Sequence, residues 1–279
     1  MSPNQAHREN SAMSRFILLM LLCTLFNASA LAQLNDPPME IAGDTKVEKS
    51  ESDWVVRVGA FGLITPEYQG ADDYKIRAFP VIDLEYKDRF FLNPIKGLGV
   101  WFWKESNTRL GASLGYRGGR DEDDSSRLEG MGDVDGGMTT NLFFKWQSRP
   151  WSADVRYSRQ VTGDDTGGFL DLSAGYGFRL FGPIILKPSL KLTLADSNYN
   201  KSYFGVTPRQ SANSGLPVYD ADAGINAVGA GIFGMMFLSK HWSLQSIFNY
   251  DRLVGDAADS PVVENKNQIR AGLGFTYQF

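Results

Sequence analysis

His241 and Ser243 are the two residues whose types and spacing could perform a reaction, because a histidine can activate a nearby serine hydroxyl as a nucleophile. A hydrolase built on this pair would also need a carboxylate that orients the histidine and a protected site for the oxyanion. His241 instead follows the short turn Ser239-Lys240, where a polar side chain facing water is ordinary. We therefore predict no catalytic residue and no enzymatic activity, with a hydrolase centred on His241 as the alternative.

The acidic segment Arg120–Asp133 is the second candidate for chemistry, because it carries six carboxylates against two arginines. Carboxylates clustered in a loop can bind calcium. This segment lacks the regular spacing and the glycine of a calcium-binding loop, which favours an ordinary solvated loop. Gly130-x-Gly132 precedes a strand instead of joining a strand to a helix, so it is not a nucleotide-binding fingerprint. We therefore predict no metal site and no cofactor.

Residues 1–32 have the organisation of a secretory signal peptide. The basic stub Met13-Ser14-Arg15 precedes the apolar run Phe16–Phe26, which is shorter than the roughly 20 residues that a membrane-spanning helix needs. Small residues follow, and Ala28-Ser29-Ala30 and Ala30-Leu31-Ala32 form two overlapping cleavage sites. We expect cleavage after Ala32, with Met13 as the better candidate for the true start. A flexible periplasmic lead-in over residues 33–53 should follow.

Cysteine usage and charge exclude further classes of function. The single cysteine, Cys23, lies in the apolar run, so the mature chain has no disulfide, thiolate metal site or cysteine nucleophile. Removal of residues 1–32 takes away Arg8, Arg15 and Glu9. The 28 basic and 32 acidic residues then become 26 and 31, which gives a net charge of −5. An acidic chain offers no electrostatic footprint for nucleic acid.

From Trp54 to Phe279 the sequence alternates between apolar and polar residues, as strands with two different faces do. In the last segment every second residue is apolar: Ile269, Ala271, Leu273, Phe275, Tyr277 and Phe279. The same rhythm recurs at 109–117, 151–158, 170–179 and 184–194. Segments of about ten residues with this period, separated by turn residues, are typical of a transmembrane β-barrel.

A soluble β-sandwich would alternate in the same way, but its polar face meets water, where glycines would weaken the strands without benefit. In this sequence glycines share the polar faces with charged residues, as expected for a barrel lumen: Gly111, Gly115, Gly175, Gly177, Gly272 and Gly274. We therefore predict an all-β fold, an antiparallel transmembrane β-barrel over residues 54–279 in the cell outer membrane.

The lengths of the connections predict the topology. Short and long connections alternate, and outer-membrane barrels have short periplasmic turns and long extracellular loops. All six tryptophans lie beside the short connections, which indicates one interfacial belt at the periplasmic side. A first count gives eleven strands, whereas bacterial barrels have even numbers. The turn residues Asn93-Pro94 and Gly97 split the segment 89–103 and give about twelve strands, with ten as the alternative.

Charged residues of both signs fall on the polar faces of these strands. They are Arg77, Asp83, Glu85, Arg109, Arg117, Asp135, Lys145, Asp154, Arg156, Asp171, Arg179, Lys187, Lys191, Asp251 and Arg270. A selective pore usually carries a ring of one sign. Mixed signs on neighbouring strands instead favour cross-strand ion pairs and a narrow or closed lumen.

Several blocks, in the same order along the chain, resemble the MipA/OmpV family of outer-membrane proteins. They are Gly70–Tyr74, Phe79–Tyr86, Asp88–Val100, Gly115–Asp121, Tyr203–Pro208, Ser214–Leu216 and Gly255–Val262. The resemblance covers essentially all of residues 54–279 and implies an outer-membrane barrel. The family is named after a member that joins a lytic murein transglycosylase (MltA) to a bifunctional penicillin-binding protein.

The resemblance implies a non-enzymatic scaffold or anchor for peptidoglycan synthesis and remodelling, acting from the periplasmic face. Its partners would be a lytic murein transglycosylase, a penicillin-binding protein and outer-membrane lipid. The alternative is a channel or uptake route for small solutes. The shared blocks belong to the fold and its loops, and a fold does not fix a function, so no site residue is assigned from the resemblance.

Overall fold

The computed structural model describes residues 53–279; the predicted signal peptide and nearly all of the predicted lead-in lie outside this range. The described chain contains β1 (Trp54–Pro66), β2 (Tyr74–Tyr86), β3 (Phe90–Asn93), β4 (Gly97–Glu105), β5 (Thr108–Arg117), β6 (Gly137–Ser148), β7 (Trp151–Gln160), β8 (Gly168–Tyr176), β9 (Phe178–Arg179), β10 (Ile184–Ala195), β11 (Gly224–Phe237), β12 (Trp242–Leu253) and β13 (Asn267–Gln278). Its helices are α1 (Ser197–Phe204), α2 (Pro208–Ser214) and α3 (Gly255–Asp259). Within this range no helix has the length and apolar character needed to cross a membrane.

The strands form one closed antiparallel sheet. Successive strands pair with one another except for β8 and β9, and β1 also pairs with β13, which closes the barrel. Only Gly177 separates β8 from β9, and both pair with β10, so the thirteen strands form a wall of twelve. The predicted antiparallel barrel and its twelve strands are therefore confirmed. The predicted split is confirmed as well, because Asn93 of β3 lies opposite Gly97 of β4.

The two faces of each strand meet different surroundings. In β13, Leu273 and Phe275 are 62% and 49% exposed, whereas Gln268 and Arg270 are 1% and 6% exposed. The apolar side chains therefore point outward, and the polar side chains point into the lumen. This arrangement suits a wall whose outer solvent is lipid and whose backbone groups are satisfied by neighbouring strands.

Apart from the turn 94–96 between β3 and β4, short and long connections lie at opposite ends of the barrel. We call the end with connections 87–89, 106–107, 149–150, 180–183 and 238–241 the turn end. The loop end carries connections 67–73, 118–136, 161–167, 196–223 and 254–266. The assignment of the turn end to the periplasm remains a prediction from sequence.

Most of the tryptophans mark the turn end. Trp54, Trp103, Trp151 and Trp242 are all exposed near short connections. The prediction placed Trp101 in the same belt, and this is wrong, because Trp101 is buried and belongs to a cluster of inward side chains. The register of β4 against β5 shifts between Trp101 and Trp103, and such a bulge turns the two side chains to opposite faces.

Four of the long connections pack into a lid over the loop end. Leu128 and Val262 are fully buried in it, together with Tyr68, Ala71, Met131, Val206 and Leu216. Hydrogen bonds tie the loops together: Arg127 Nε donates to the Pro261 carbonyl at 3.1 Å, and Arg120 Nη1 donates to the Tyr203 carbonyl at 2.8 Å. The loop end is therefore a packed structure rather than a set of independent loops.

Tyr68 connects the first of these loops to the last one. Burial raises the pKa of its hydroxyl well above the ordinary value, and the nearby Glu264 carboxylate raises the pKa further. The hydroxyl therefore stays protonated and lies 3.0 Å from the Val262 carbonyl and 2.9 Å from the Glu264 carboxylate. A protonated hydroxyl at this position holds connections 67–73 and 254–266 together.

Candidate functional site

The lumen brings together most of the charged residues that the alternation assigns to it. Lys145 Nζ lies 3.5 Å from Asp154, and these residues are directly opposite each other on β6 and β7. On the other side of the lumen, Asp251 lies 3.5 Å from Lys191 and 2.9 Å from Arg270. The predicted cross-strand ion pairs are therefore confirmed.

Two further inward arginines lie towards the ends of the lumen. Arg57 Nη1 lies 2.7 Å from Asp83 on the neighbouring strand. Buried Arg117 donates to the Gly167 carbonyl at 3.2 Å, and its guanidinium lies 5.0 Å from the centre of the Phe169 ring. These contacts fix the wall at both ends of the barrel.

One residue predicted to face the lumen does not do so. Asp135 belongs to the connection after β5 and is exposed, because β6 begins only at Gly137. Alternation alone extends a strand into its flanking residues, and here the chain joins the wall later than the pattern indicates. Arg179 lies opposite Ile185 of β10, two positions from the cavity-lining Lys187, so it shares the inward face and is exposed at the turn end.

Apolar side chains also occupy the lumen, and sequence reasoning missed them. Inward residues of β1, β2 and β12 form one buried cluster: Phe61, Leu63, Phe79, Val81 and Ile247. A Cβ on Gly274 would lie 2.2 Å from the Phe61 ring, so the neighbouring glycine provides the space that this ring occupies. The sequence does contain a signal for this cluster, because neither face of the strands carries a polar residue over 60–64 and 79–82.

The turn between β3 and β4 bends into the lumen. Ile95 packs against the apolar cluster around Phe61, and the Asn93 side chain accepts hydrogen bonds from the Ile95 and Lys96 amides at 3.1 Å and 2.7 Å. The Ser113 hydroxyl of β5 donates to the Lys96 carbonyl. These bonds hold the turn inward, where it narrows the lumen.

A second cluster of inward side chains is aromatic. The Phe91 and Trp101 rings lie 5.1 Å apart, and Phe143 lies 6.2 Å and 6.1 Å from them, respectively. All three are buried. Together with the inward turn, this cluster fills the part of the lumen next to β3, β4 and β6.

A cavity of about 110 Å³ remains between the inward turn and the opposite wall. Ile95 and Lys96 of the turn line one side of it. Charged residues of β6, β7, β10 and β12 and apolar residues of β11 and β12 line the rest. This cavity is a concave site that the lumen offers to a small molecule.

The residues considered for catalysis have structural partners. His241 is exposed, its Nδ1 lies 2.9 Å from the Gln278 carbonyl, and its ring stacks on Tyr277 at 5.4 Å. The Ser243 hydroxyl instead lies 2.8 Å from the hydroxyl of Thr276. Both residues thus connect β12 and its turn to β13.

The acidic segment is organised by its own hydrogen bonds. The Glu122 carboxylate accepts from the amides of Gly130 and Gly132, both at 3.0 Å. Asp124 binds Lys75 of β2 at 2.8 Å. Burial and the carboxylates of Asp124 and Asp133 raise the pKa of Asp121 above its ordinary value. In the part of the chain that the structure describes, no group of three or more side chains is suited to hold a metal ion.

This chain is similar to a protein named for an interaction with MltA and to a protein named as an outer-membrane protein. MltA-interacting protein of Escherichia coli (strain K12) is 22% identical over 244 residues, which cover 86% of this chain and 95% of that protein. Outer membrane protein OmpV of Vibrio cholerae is 24% identical over 236 residues, which cover 82% and 88%. Among solved structures, an outer membrane channel from Pseudomonas putida F1 has a TM-score of 0.41 at 12% identity, and the match covers 85% of this chain and 100% of that chain.

The family match spans almost the whole barrel. The sequence profile described as MltA-interacting protein MipA matches residues 58–279, from within β1 to the last residue. Together with the closed sheet and the apolar outer face, this match identifies a barrel of the outer membrane. The chain belongs to the MltA-interacting protein (MipA) family.

Proposed function

We propose that this barrel anchors peptidoglycan-remodelling machinery in the outer membrane, with a lytic murein transglycosylase held at its turn end. The support comes from the Escherichia coli relative, whose name states an interaction with MltA. A penicillin-binding protein would be the second partner of the assembly. The barrel would contribute position rather than catalysis, and lipid would surround its apolar outer face.

The observation that carries this proposal is the filling of the lumen. The inward turn with Ile95, the cluster around Phe61 and the aromatic group of Phe91, Trp101 and Phe143 occupy the space that a channel would need. The packed lid covers the loop end. A barrel filled in this way serves better as a rigid membrane anchor than as a route for solutes.

The turn end offers the surface for such partners. Arg149, Arg179, Lys240 and His241 are exposed on three different short connections or beside them. The short connections limit the movement of these residues, so a partner would meet a preformed surface. Binding would therefore cost the barrel little conformational entropy. Basic side chains would also favour an acidic surface on the partner.

Site-specific crosslinking in cells tests the proposal. A photoreactive amino acid at Lys240 should capture the cell's own lytic murein transglycosylase, identified by mass spectrometry. The same amino acid at Ser126, which is exposed in the lid, is the matched control and should not capture it. Capture from both positions, or from Ser126 alone, would count against docking at the turn end.

Single-channel conductance distinguishes a membrane anchor from a channel for small solutes. The purified barrel in a planar bilayer should show no stable single-channel steps, because apolar clusters interrupt the lumen. Steady conductance that scales with the number of inserted barrels would favour the solute channel instead.

A further inference from the structure

Arg252 lies on the outward face of β12, at its loop end. Buried Gln245 and Asp251 lie on the inward face of the strand, whereas Trp242, Tyr250 and Arg252 are exposed. Arg252 follows Trp242 by ten positions. This separation is about 33 Å along a strand and about 25 Å along the axis of a barrel whose strands tilt by roughly 40°, which matches the apolar band of an outer-membrane barrel. Trp242 marks one edge of the band, so Arg252 lies at the other edge, at the depth of the lipid head groups.

The guanidinium of Arg252 has a neutral partner. Its Nη1 donates to the side-chain oxygen of Asn267 at 2.8 Å, and the Tyr250 hydroxyl donates to the same oxygen at 2.7 Å. In the sheet register Arg252 lies between Val228 of β11 and Asn267 of β13, which carry no charge. Asp251, the preceding residue in the chain, is buried on the lumen side. Arg252 therefore keeps most of its N–H donors and its positive charge for a further partner.

Three other solvent-accessible cations towards the loop end differ from Arg252, because each lies beside a carboxylate of the chain. The pairs are Arg159 with Asp165 at 3.0 Å, Lys201 with Asp220 at 3.2 Å and Lys266 with Asp259 at 3.0 Å. Among the residues that the structure describes, no ion pair joins Arg252 to a carboxylate. An anion that neutralises Arg252 must therefore come from outside the chain.

We propose that Arg252 binds a phosphate group of lipid A, the phosphorylated glycolipid of the outer leaflet. In the orientation predicted from sequence, the loop end of the barrel meets that leaflet. A phosphate accepts two parallel hydrogen bonds from a guanidinium, and such charge-assisted bonds are about twice as strong as neutral ones. The bond to Asn267 holds the guanidinium at the wall before the lipid arrives. The inference does not depend on the anchor proposal, since it concerns the outer wall rather than the turn end.

The surroundings of Arg252 fit a lipid better than free phosphate. Towards the middle of the wall, the neighbouring outward side chains Ile232, Phe248 and Ile269 are apolar and exposed. They would contact acyl chains, and Tyr250 lies above them as an aromatic residue of the membrane interface. Free phosphate would gain only a contact open to water, where an ion pair contributes little. A lipid adds the contacts of its acyl chains, so its two parts are bound together.

Native mass spectrometry of the full-length mature barrel in a neutral detergent tests the site. The probes are lipid A, the same lipid without its phosphates, and inorganic phosphate. We expect the first bound lipid A to dissociate at least about tenfold less readily than the dephosphorylated lipid, as an added charge-assisted contact implies. Equal affinity for the two lipids would overturn the role of the phosphate. Displacement of lipid A by an equal concentration of inorganic phosphate would reveal a site for free anions and overturn the lipid assignment.

Variants test whether Arg252 is responsible. Arg252→Gln should weaken lipid A binding about tenfold and leave the dephosphorylated lipid unaffected. Arg209→Gln, at an exposed position on α2, is the matched control and should change neither affinity. Asn267→Asp keeps the arginine but places a carboxylate beside it, so it should also weaken lipid A binding. Unchanged lipid A affinity in both Arg252→Gln and Asn267→Asp would refute the assignment, and so would an equal loss of affinity for both lipids.

Discussion

Lys191 and Asp251 form an ion pair across a glycine. The two residues lie on β10 and β12, and Gly229 of β11 lies directly between them in the sheet register. Lys191 Nζ reaches Asp251 Oδ1 at 3.5 Å, and a Cβ on Gly229 would lie 2.1 Å from that same oxygen. The missing side chain of one strand therefore allows an ion pair between the two strands beside it.

Replacing this glycine should disrupt the pair. Gly229→Val should destabilise the barrel by about 1–3 kcal/mol, because the new side chain displaces the Asp251 carboxylate from a buried charged contact. Urea-induced unfolding in lipid vesicles measures the change. Gly224→Val is the matched control, since a Cβ at Gly224 of the same strand meets open space. Equal destabilisation by both variants would show that the pair is not responsible.

The lid should loosen when its connecting arginine is removed. Arg127→Ala eliminates the hydrogen bonds to the Pro261 carbonyl, which join connection 118–136 to connection 254–266. We expect faster cleavage in these two connections by an added protease, with the strands left intact. Arg209→Ala, at an exposed position on α2, should leave the cleavage rate unchanged. Similar cleavage rates for both variants and the natural chain would argue against a tied lid.

The last residue should contribute to barrel closure. The Phe279 amide donates to the Val56 carbonyl of β1 at 3.1 Å, and its ring packs edge-on against Tyr277 at 4.9 Å. Deletion of Phe279 should therefore reduce the heat-modifiable folded protein recovered from the outer membrane. Gln278→Ala should do little, because Arg57 keeps its contact with Asp83. Equal folded yields would contradict this role.

Surface labelling tests the orientation. The mature chain has no cysteine, so single introduced cysteines report without background from this protein. A cysteine at Ser126 in the lid should react with a membrane-impermeant reagent on intact cells, and one at Lys240 should react only after the outer membrane is broken. The opposite pattern would reverse the topology.

Export can be tested on the same protein. Cleavage after Ala32 predicts a mature chain that begins at Gln33, which N-terminal sequencing of the outer-membrane protein would detect. Retention of Phe16–Phe26 in the purified barrel would refute the signal peptide.

The sequence by itself determined the class of fold, the strand boundaries to within a few residues and the face on which most side chains lie. The reason is that these properties are local. In a strand the side chains alternate between two faces, so Leu273 and Phe275 lie on one face, and Gln268 and Arg270 lie on the other. This separation does not depend on the rest of the chain. Turn residues such as Asn93 and Gly97 likewise split two strands through their own backbone preferences.

Tertiary structure decided what fills the lumen. Alternation assigns a face to Phe61 but does not show that this ring lies over Gly274, more than 200 positions away in the chain. The bulge that turns Trp101 inward and the bonds that bend Ile95 into the lumen depend on contacts with other strands. The lining of the cavity has the same origin, because closure of the barrel brings Lys145 and Lys191 to one cavity. Such neighbours follow from register and curvature, which a pattern along a single strand does not contain.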